Sequence, residues 1–424
     1  MHRSNLDLLA FINQLEAEVE ILFKDASKKS EENHFKVLKA FQDEGINDFH
    51  FNESTGYGYG DSGRDSLDNL YARIFGAEAG LVRPQMVSGT HAIALCLFGL
   101  LRLGDELLSI TGSPYDTLNK VIGEKGQEGT GTLFDWGVSH QVINLLDGGI
   151  PDYDTISRDI NDKTKIVAIQ RSRGYSIRPS LGVEKIEKMI KEVKKINKDL
   201  IIFVDNCYGE FVEHLEPSQV GADIVAGSLI KNPGGGIAPS GGYIVGREDL
   251  IEKISYRLTA PGLGRDIGSS LTSKRLYYQG LFLAPLVVTE ALKGAIMTAK
   301  IFSELGYQVY PGVDEDRADI IQAIILGSKE KIITFCQGLQ KGSPIDSLIT
   351  PIPSAMPGYA DQIIMAGGTF IQGSSIELSA DAPLREPYAV YLQGGLSYPY
   401  IKAALLSVMT EMRERGMLKF RSKS

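Results

Sequence analysis

Short apolar runs alternate along this chain with longer segments of helical periodicity. The longer segments include SLDNLYARIF (66–75), THAIALCLFGLL (90–101) and GVEKIEKMIKEVKKI (182–196). The apolar runs are GLVRPQMV (80–87), ELLSI (106–110), HQVINL (140–145), KIVAIQ (165–170), LIIFVD (200–205), DIVAGSL (223–229) and GGYIVG (241–246). This alternation is typical of a mostly parallel sheet covered by helices on both faces. The predicted fold class is therefore α/β, built on a large domain with a seven-stranded sheet.

The two ends of the chain follow other patterns. Residues 1 to about 45 have apolar positions at helical spacing and are rich in Lys and Glu, and a polar, glycine-dense loop follows at 47–63. After residue 246 the chain becomes helical (283–306), then mixed, with strands near 363–378 and a closing helix at 400–416. These patterns predict an N-terminal helical arm (1–50), a large domain (51–298) and a smaller α+β C-terminal domain (299–424).

Charge and cysteine content restrict the environment and the partners. The formal net charge is −9 and the pI is near 5.4, which argues against a surface for nucleic acid or for an anionic membrane. The three cysteines, Cys96, Cys207 and Cys336, lie far apart in apolar runs, as expected of core residues in a reducing compartment. The N-terminus has no signal-peptide pattern, and no apolar run of about 18 residues appears. A cytoplasmic location is predicted.

Two chemically active side chains follow neighbouring strands. Asp205 ends the run LIIFVD, and Lys231 lies 26 residues later in GSLIKNPGGG, after one further strand. Ligand sites of open α/β sheets form at the carboxyl ends of the strands, so this acid and this amine can meet over one crevice. Pyridoxal phosphate requires such a pair: the lysine forms a Schiff base with the aldehyde, and the acid keeps the pyridine nitrogen protonated. The alternative is that Asp205 caps a helix and Lys231 is a solvated loop residue.

A phosphate site is the third requirement of that cofactor. In QMVSGTHAIALCLFGLL an apolar strand passes through Ser88, Gly89 and Thr90 into a helix. Free backbone N–H groups, two hydroxyls and a helix N-terminus together favour a dianion. Ser228, three residues before Lys231, offers one more hydroxyl. The alternative is an ordinary helix cap, for which Ser and Thr are preferred residues.

The order of these motifs resembles a known family. The SGT-helix, then FVDNCYGEF, then GSLIKNPGGG followed by SGGYIVG, resembles the fold-type-I pyridoxal-phosphate enzymes of the Cys/Met-metabolism group, which includes cystathionine lyases and methionine gamma-lyase. The branch called aluminium resistance or cystathionine beta-lyase-like protein is most similar. The resemblance implies that Lys231 holds the cofactor as an aldimine and that Asp205 is the partner of its pyridine nitrogen. It also implies a phosphate cradle made of Ser88, Gly89, Thr90 and Ser228.

The activity that this resemblance implies is carbon–sulfur lyase chemistry, by β- or γ-elimination. Lys231, once released from the cofactor, is the natural general base for the substrate Cα proton. The well-studied lyases of the group have an aromatic residue and later a histidine after the lysine, whereas this chain has Asn232, Pro233 and glycines. The identity of the substrate therefore stays open.

The resemblance also implies a homodimer with shared active sites, commonly within a tetramer. The loop GYGYGDSGR lies where the group has a Tyr and an Arg that reach the phosphate of the neighbouring subunit. Tyr59 and Arg64 are the candidates for these roles, with Tyr57 as a substitute for Tyr59. The alternative is that this loop packs on its own subunit.

Three further aromatic side chains are candidates for contacts with the cofactor. Tyr208, three residues after Asp205, can reach the phenolic oxygen, and Tyr115 or His91 can stack on the ring. The alternative for each is plain packing, which is the commoner role of aromatic residues.

The implied substrate is an amino acid, whose carboxylate is best bound by an arginine. SSIELSADAPLREPY resembles the carboxylate-binding segment of the group, which makes Arg385 the first choice. AIQRSRGYS ends a strand of the sheet, so Arg173, or less favourably Arg171, is the second. The alternative for these arginines is a surface ion pair.

Three other functions compete with this prediction. GYGDSG (58–63) matches the dinucleotide motif GxGxxG, but no strand is predicted before it. Other pyridoxal-phosphate reactions, namely transamination, aldol cleavage and decarboxylation, would use the same residues. A metal-sequestering protein is suggested by the four acids of VDEDRAD (313–319), although the glycine of a calcium loop is missing. No metal site is predicted.

Overall fold

The computed structural model describes residues 3–126 and 128–418. Residues 1, 2, 127 and 419–424 lie outside the described residues, so the outermost ends of the predicted arm and of the predicted C-terminal domain are not covered. The first two helices, α1 (Arg3–Glu18) and α2 (Glu20–Asp43), account for most of the predicted N-terminal arm. The helical periodicity predicted for this region is confirmed.

Each of the seven apolar runs contributes one strand to a single sheet. The strands are β1 (Ala79–Arg83), β2 (Glu106–Ser109), β3 (Ser139–Val142), β4 (Thr164–Gln170), β5 (Ile201–Asp205), β6 (Ile224–Ser228) and β7 (Gly242–Gly246). Their order is β1-β7-β6-β5-β4-β2-β3, and β7 pairs antiparallel with both of its neighbours while the other pairs are parallel. The predicted mostly parallel, seven-stranded sheet is confirmed.

Helices cover both faces of this sheet because its strands are apolar on both sides. In β5, Ile202 and Val204 pack into one core cluster and Ile201 and Phe203 into another. The helices that precede, connect and follow these strands are α3 (Ser62–Phe75), α4 (Gly89–Leu100), α5 (Asp116–Ile122), α6 (Tyr153–Asp159), α7 (Val183–Ile196) and α8 (Glu248–Leu258). α3 and α7 contribute to the first cluster, and α4 and α8 contribute to the second.

A second, antiparallel sheet follows in the last third of the chain. Its strands are β8 (Gln308–Tyr310), β9 (Gln322–Ile325), β10 (Ile363–Ala366), β11 (Ser379–Pro383) and β12 (Ala389–Gln393), in the order β10-β11-β12-β9-β8. Helices α10 (Lys329–Lys341) and α11 (Tyr398–Glu414) pack against it around a third core cluster. The strands predicted near 363–378 are observed as β10 and β11, which are separated by an irregular segment that contains Gly367, Gly368 and Gly373.

One long helix, α9 (Arg275–Glu304), joins the two sheets. It crosses the predicted boundary at residues 298/299 without interruption, and the domain division stays a prediction. Among the described residues this helix alone is long and apolar enough to cross a membrane, but 72% of its apolar stretch is buried inside the protein. It is therefore a core helix in this structure.

The sheet topology decides where a ligand site can form. Because only β7 runs opposite to the rest, the carboxyl ends of β1, β4, β5 and β6 lie at the same edge of the sheet. Helix α4 begins six residues after β1 ends, so its N-terminus also opens at that edge. By contrast, GYGDSG is preceded by a short 3-10 helix (Asp48–Phe51) and not by a strand, as the dinucleotide motif would require.

Candidate active site

Asp205 and Lys231 face one cavity at the carboxyl edge of the sheet. Asp205 is the last residue of β5 and lies beside Gln170 of β4 and Ala226 of β6 in the strand register. Lys231 follows β6 by three residues. The cavity has a volume of about 430 Å³, and both side chains line it. The structure thus brings together the acid and the amine that the sequence predicts to share a crevice.

The glycines after Lys231 allow this loop to pack tightly. A Cβ atom on Gly234 would lie 1.7 Å from the carbonyl oxygen of Leu229, which excludes any side chain there. Gly235 has a φ of +56°, and a Cβ atom on it would lie 2.4 Å from the carbonyl oxygen of Gly280 in α9. The loop that carries Lys231 is therefore fixed against the core by backbone contacts that only glycine permits.

The electrostatic surroundings of Lys231 favour its charged form. Its Nζ atom lies 4.1 Å from the centre of the Tyr208 ring. Burial alone would lower the pKa of Lys231, but the acidic groups around it, first Cys207, then Tyr208 and Asp205, raise that pKa well above its usual range. Burial also raises the pKa of Asp205, and the charge of Lys231 opposes this rise. The backbone N–H of Cys207 donates to Asp205 Oδ1 at 3.1 Å and holds the carboxylate in place.

The predicted phosphate cradle lies at the N-terminus of α4. Ser88 caps this helix, since its Oγ atom accepts a hydrogen bond from the backbone N–H of His91 at 3.1 Å. Thr90 lines the cavity. A Cβ atom on Gly89 would lie 3.1 Å from Cβ of the buried Ser228, so the helix end and the loop before Lys231 are in contact. Capping by Ser88 and a phosphate cradle are compatible, and the cradle stays a prediction.

Of the two candidates for stacking, only Tyr115 lines the cavity. Its hydroxyl lies 2.9 Å from Thr90 Oγ1, and its backbone N–H donates to Gln170 Oε1 at 3.2 Å. Burial raises the pKa of Tyr115, so its hydroxyl stays protonated at neutral pH. The Nδ1 atom of His91 instead accepts a hydrogen bond from the backbone N–H of Val87 at 3.2 Å, and burial lowers the pKa of His91.

The residues predicted to reach a neighbouring subunit lie away from the cavity of their own chain. Tyr57 and Tyr59 are exposed, and their rings stack with centroids 5.5 Å apart. Arg64 is buried, and its guanidinium donates to the backbone carbonyl oxygens of Gly58 at 2.8 Å and Gly268 at 3.2 Å. The structure therefore leaves the two tyrosines available to a partner, whereas Arg64 is bonded to its own chain.

The two arginines predicted for the substrate carboxylate occupy different parts of the cavity. Arg173 is buried, and its Nε atom lies 3.8 Å from Oδ2 of the equally buried Asp319, an ion pair that is too long for a hydrogen bond. Among the described residues no acceptor forms a hydrogen bond with its Nε and Nη1 atoms. Asp319 anchors its backbone, because Oδ2 of Asp319 accepts the Arg173 N–H at 3.2 Å. Arg385 is partly exposed and pairs with Asp361 at 3.0 Å. Arg171 is fully buried beside Glu213 and Glu216 and does not line the cavity.

The structure explains the last acid of the VDEDRAD segment, Asp319. Asp319 is buried and accepts hydrogen bonds from the hydroxyl of Ser172 and from the backbone N–H groups of Arg173 and Ile321. In the part of the chain that the structure describes, no group of three or more His, Cys, Asp or Glu side chains is placed to hold a metal ion. This segment therefore offers no support for the metal-sequestering alternative.

Several residues of the cavity were not predicted from the sequence. Gln170 ends β4 beside Asp205, and its position at a strand end is a signal that could have identified it. Tyr175, Arg178 and Tyr359 also line the cavity, but their roles depend on contacts between distant segments. The hydroxyl of Tyr175 donates to Asp381 at 3.0 Å across 206 residues of sequence, a relationship that no local pattern contains.

Comparison with known proteins gives the relatives of this chain. Residues 8–413 match the family described as methionine gamma-lyase. The uncharacterized protein YnbB of Bacillus subtilis is 52% identical over 405 residues, which cover 96% of each chain. A solved structure from Listeria monocytogenes, provisionally named a cystathionine beta-lyase involved in aluminum resistance, is 51% identical. It superposes with a TM-score of 0.92 over 95% of this chain and 99% of that chain.

The fold extends to more distant structures. Cystathionine gamma-lyase of Lactobacillus plantarum, solved in complex with L-serine, superposes with a TM-score of 0.57 over 82% of this chain and 86% of that chain, at 19% identity. This likeness concerns the fold alone. It confirms the predicted fold type, with a large α/β domain and a smaller α+β domain.

Proposed function

Because the chain belongs to the methionine gamma-lyase family, we propose that it is a pyridoxal-phosphate-dependent lyase that cleaves a carbon–sulfur bond of an amino acid. The predicted resemblance to this family and to its aluminium-resistance branch is confirmed. The cleavage proceeds by β- or γ-elimination in this proposal. One observation carries the argument: Lys231 and Asp205 line a single cavity at the edge of the sheet where helix α4 begins.

The residues of the cavity fit the cofactor. Lys231 supplies the amine that would hold the aldehyde carbon, and Asp205 supplies a carboxylate for the pyridine nitrogen. Ser88, Gly89, Thr90 and Ser228 surround the N-terminus of α4, where backbone N–H groups and the helix dipole favour a phosphate. The close contact between Gly89 and Ser228 supports this role, because it brings the Ser228 side chain against the first turn of α4. Tyr115 and Tyr208 are the aromatic neighbours.

The protein's own groups bind the substrate and move its protons. When bound, pyridoxal phosphate supplies an electron sink for the negative charge that develops at the substrate Cα atom. Lys231 Nζ, in its neutral form, accepts the Cα proton as a general base. Asp205 would place its negative charge against the pyridine nitrogen of the bound cofactor and so favour the protonated form of that nitrogen.

The substrate carboxylate needs a guanidinium, and the structure favours Arg173 for this role. Asp319 lies 3.8 Å from Arg173 Nε and balances its charge, but among the described residues no acceptor forms a hydrogen bond with its Nε and Nη1 atoms, and a buried donor without a hydrogen bond is costly. Arg385 already pairs with Asp361 nearer to the solvent. In the proposal, Arg173 binds the α-carboxylate and Arg385 lies at the mouth of the cavity.

The proposal includes a cytoplasmic homodimer with shared active sites, assembled into a tetramer. The exposure of Tyr57 and Tyr59 supports these residues as the ones that reach a neighbouring subunit. Because Arg64 donates to carbonyl oxygens of its own chain, it contributes by fixing the loop that carries the two tyrosines. Transamination, aldol cleavage and decarboxylation use the same cavity residues, and only measured products separate these reactions from elimination.

The test is spectroscopic and then chemical. The purified protein should show the visible absorbance of a pyridoxal-phosphate imine, and borohydride should fix the cofactor onto the peptide that contains Lys231. The peptide containing Lys274, a buried lysine paired with Asp61, serves as the internal control and should stay unlabelled. Sulfur amino acids are then screened for release of 2-oxo acid and thiol. A colourless protein that stays unlabelled after addition of pyridoxal phosphate would contradict the proposal.

A further inference from the structure

Tyr175 connects the first sheet to the second at the wall of the cavity. It lies in the segment between β4 and α7, and its ring lines the cavity. Its hydroxyl donates to Oδ2 of Asp381 in β11 at 3.0 Å. This hydrogen bond therefore joins a loop of the large sheet to a strand of the smaller sheet.

The carboxylate of Asp381 is itself held in place. Nε2 of Gln393 in β12 donates to the same Oδ2 atom at 2.9 Å. Asp381 pairs with Tyr391 in the register of β11 and β12, and the Tyr391 ring packs against the Tyr175 ring with centroids 5.3 Å apart. The Tyr175 ring also contacts that of Tyr359, with centroids 6.0 Å apart. One hydrogen bond to a held carboxylate and two aromatic contacts thus fix the position that the Tyr175 side chain can take.

The segment that carries Tyr175 also carries Arg173. Gly174, between them, has a φ of +56°, and the carbonyl oxygen of Arg173 accepts hydrogen bonds from the backbone N–H of Ser176 at 3.3 Å and from its hydroxyl at 2.7 Å. Residues 173–176 therefore form one tight turn. Asp319 holds the first residue of the turn, since its Oδ2 atom accepts the Arg173 N–H at 3.2 Å and lies 3.8 Å from Arg173 Nε. The Tyr175 side chain holds the other end, so the two contacts together set the direction in which Arg173 enters the cavity.

We propose that Asp381 is a positioning residue for substrate binding: its carboxylate holds the Tyr175 hydroxyl, and this hydrogen bond orients the turn that presents Arg173 to the cavity. The inference rests on the proposed function, in which Arg173 binds the substrate carboxylate. It adds a role for the small sheet, because a strand of that sheet then determines the geometry of a binding residue in the large one. Asp381 acts through Tyr175 and need not touch the substrate.

A double-mutant cycle tests this chain of contacts. Tyr175→Phe, Asp381→Leu, which has a similar shape but no acceptor, and the double variant are compared with the wild-type holoenzyme, with L-methionine, L-cystathionine and S-methyl-L-cysteine as substrates. Each single variant should raise KM about fivefold, which is the loss expected from one hydrogen bond, and should leave kcat within about twofold. The double variant should be no worse than the single variants, because each removes the same bond. Tyr391→Phe, which keeps the ring beside Tyr175, is the control and should leave KM unchanged.

Three results would overturn the inference. If the two substitutions act independently, KM of the double variant rises about 25-fold. If kcat falls while KM is unchanged, Tyr175 acts in the chemical step and not in substrate binding. A wild-type protein that turns over none of these substrates counts against the proposed function. The same four proteins are then compared by thermal unfolding, where additive losses in Tm would show that Tyr175 and Asp381 are not coupled and would overturn the inference.

Discussion

The Nζ atom of Lys231 lies 4.1 Å from the centre of the Tyr208 ring, directly at the wall of the cavity. Tyr208 has a φ of +71°, in the left-handed region that side chains rarely adopt. This backbone geometry costs roughly 1 kcal/mol for a residue other than glycine. A partly buried contact between an ammonium group and an aromatic ring contributes a stabilising free energy of about the same size. The contact that stabilises the charge of Lys231 therefore offsets the backbone strain at Tyr208.

The first prediction concerns the rate at which apo-protein captures pyridoxal phosphate. The raised pKa of Lys231 keeps its amine protonated at neutral pH, and only the neutral amine attacks an aldehyde. Replacing Tyr208 by Leu removes the ring, lowers this pKa and should speed capture at pH 7 about fivefold. Tyr208→Phe keeps the ring but removes the phenol, whose electrostatic interaction also raises the pKa of Lys231, so its rate should lie between those of the wild type and the Leu variant. The growth of imine absorbance measures the rate, and equal rates for the Leu and Phe variants would refute the role of the ring.

The second prediction compares two buried aspartates at opposite ends of neighbouring strands. Asp205→Asn should weaken pyridoxal-phosphate binding about 10- to 100-fold, because a charge-assisted hydrogen bond to the cofactor is lost. Asp223 precedes β6, and its carboxylate pairs with Lys194 at 2.8 Å. Asp223→Asn should lower Tm and leave the affinity for the cofactor unchanged. Titration of apo-protein with the cofactor, followed by absorbance, gives both affinities. Equal losses in the two variants would show that Asp205 acts only through stability.

The third prediction separates the two arginines of the cavity. Arg173→Gln should raise KM for an amino-acid substrate about 100-fold, since a buried guanidinium that binds a carboxylate makes strong, charge-assisted hydrogen bonds. Arg385→Gln removes a partly exposed ion pair with Asp361 and should change KM by less than about threefold. Steady-state kinetics with the best substrate measure KM for both variants and decide which arginine binds the carboxylate. A large effect at Arg385 with a small one at Arg173 would reverse the proposed assignment.

The main features of the fold and of the cavity could be predicted because they depend on short stretches of sequence. A strand such as β5 buries both of its faces and therefore appears as a continuous apolar run, and Asp205 marks its end. Lys231 could be placed for the same reason, since it follows the neighbouring parallel strand. Sheet topology then brings residues at these ends together without further information.

The remaining features depend on contacts that no local pattern contains. The partner of Tyr175 is 206 residues away in the other sheet, and the carbonyl oxygens that accept from Arg64 include that of Gly268, 204 residues away. The sequence placed Arg385 before Arg173 on the resemblance of its segment, but it gave no information on burial, which separates the two arginines and is a property of the packed structure. The exposure of Tyr57 and Tyr59 agrees with the resemblance, which places a tyrosine of this loop at a neighbouring subunit, but the loop sequence alone left packing on its own subunit open.

The fourth prediction uses two glycines of helix α4 as a matched pair. A Cβ atom would lie 3.1 Å from Ser228 Cβ if added to Gly89 and 3.1 Å from Ile254 Cα if added to Gly99. Both Ala variants should therefore lose some stability from crowding. Only Gly89→Ala should weaken binding of pyridoxal phosphate, by about tenfold, because only this methyl group lies at the N-terminus of the helix. Unchanged affinity in Gly89→Ala, with Tm lowered as in Gly99→Ala, would contradict a phosphate site there.

The last prediction concerns a buried carboxyl group close behind the cavity. Glu210 is fully buried, the hydroxyl of Tyr243 donates to its Oε1 atom at 2.8 Å, and burial raises its pKa to about 8. The folded protein therefore holds a proton that the unfolded chain releases above about pH 4.5. Between pH 4.5 and 8 this difference should lower the free energy of unfolding by about 1.4 kcal/mol per pH unit.

Glu210→Gln, which resembles the neutral acid and cannot ionise, should remove this contribution, so the variant should gain stability relative to the wild type as the pH rises from 5 to 8. Glu216→Gln is the control. Glu216 is equally buried but forms an ion pair with Arg171 at 3.3 Å. The substitution removes this negative charge from beside the buried guanidinium. This control should be destabilised. Urea unfolding at a series of pH values measures the slopes. If the slope of Glu210→Gln equals that of the wild type, Glu210 is already ionised in the folded protein.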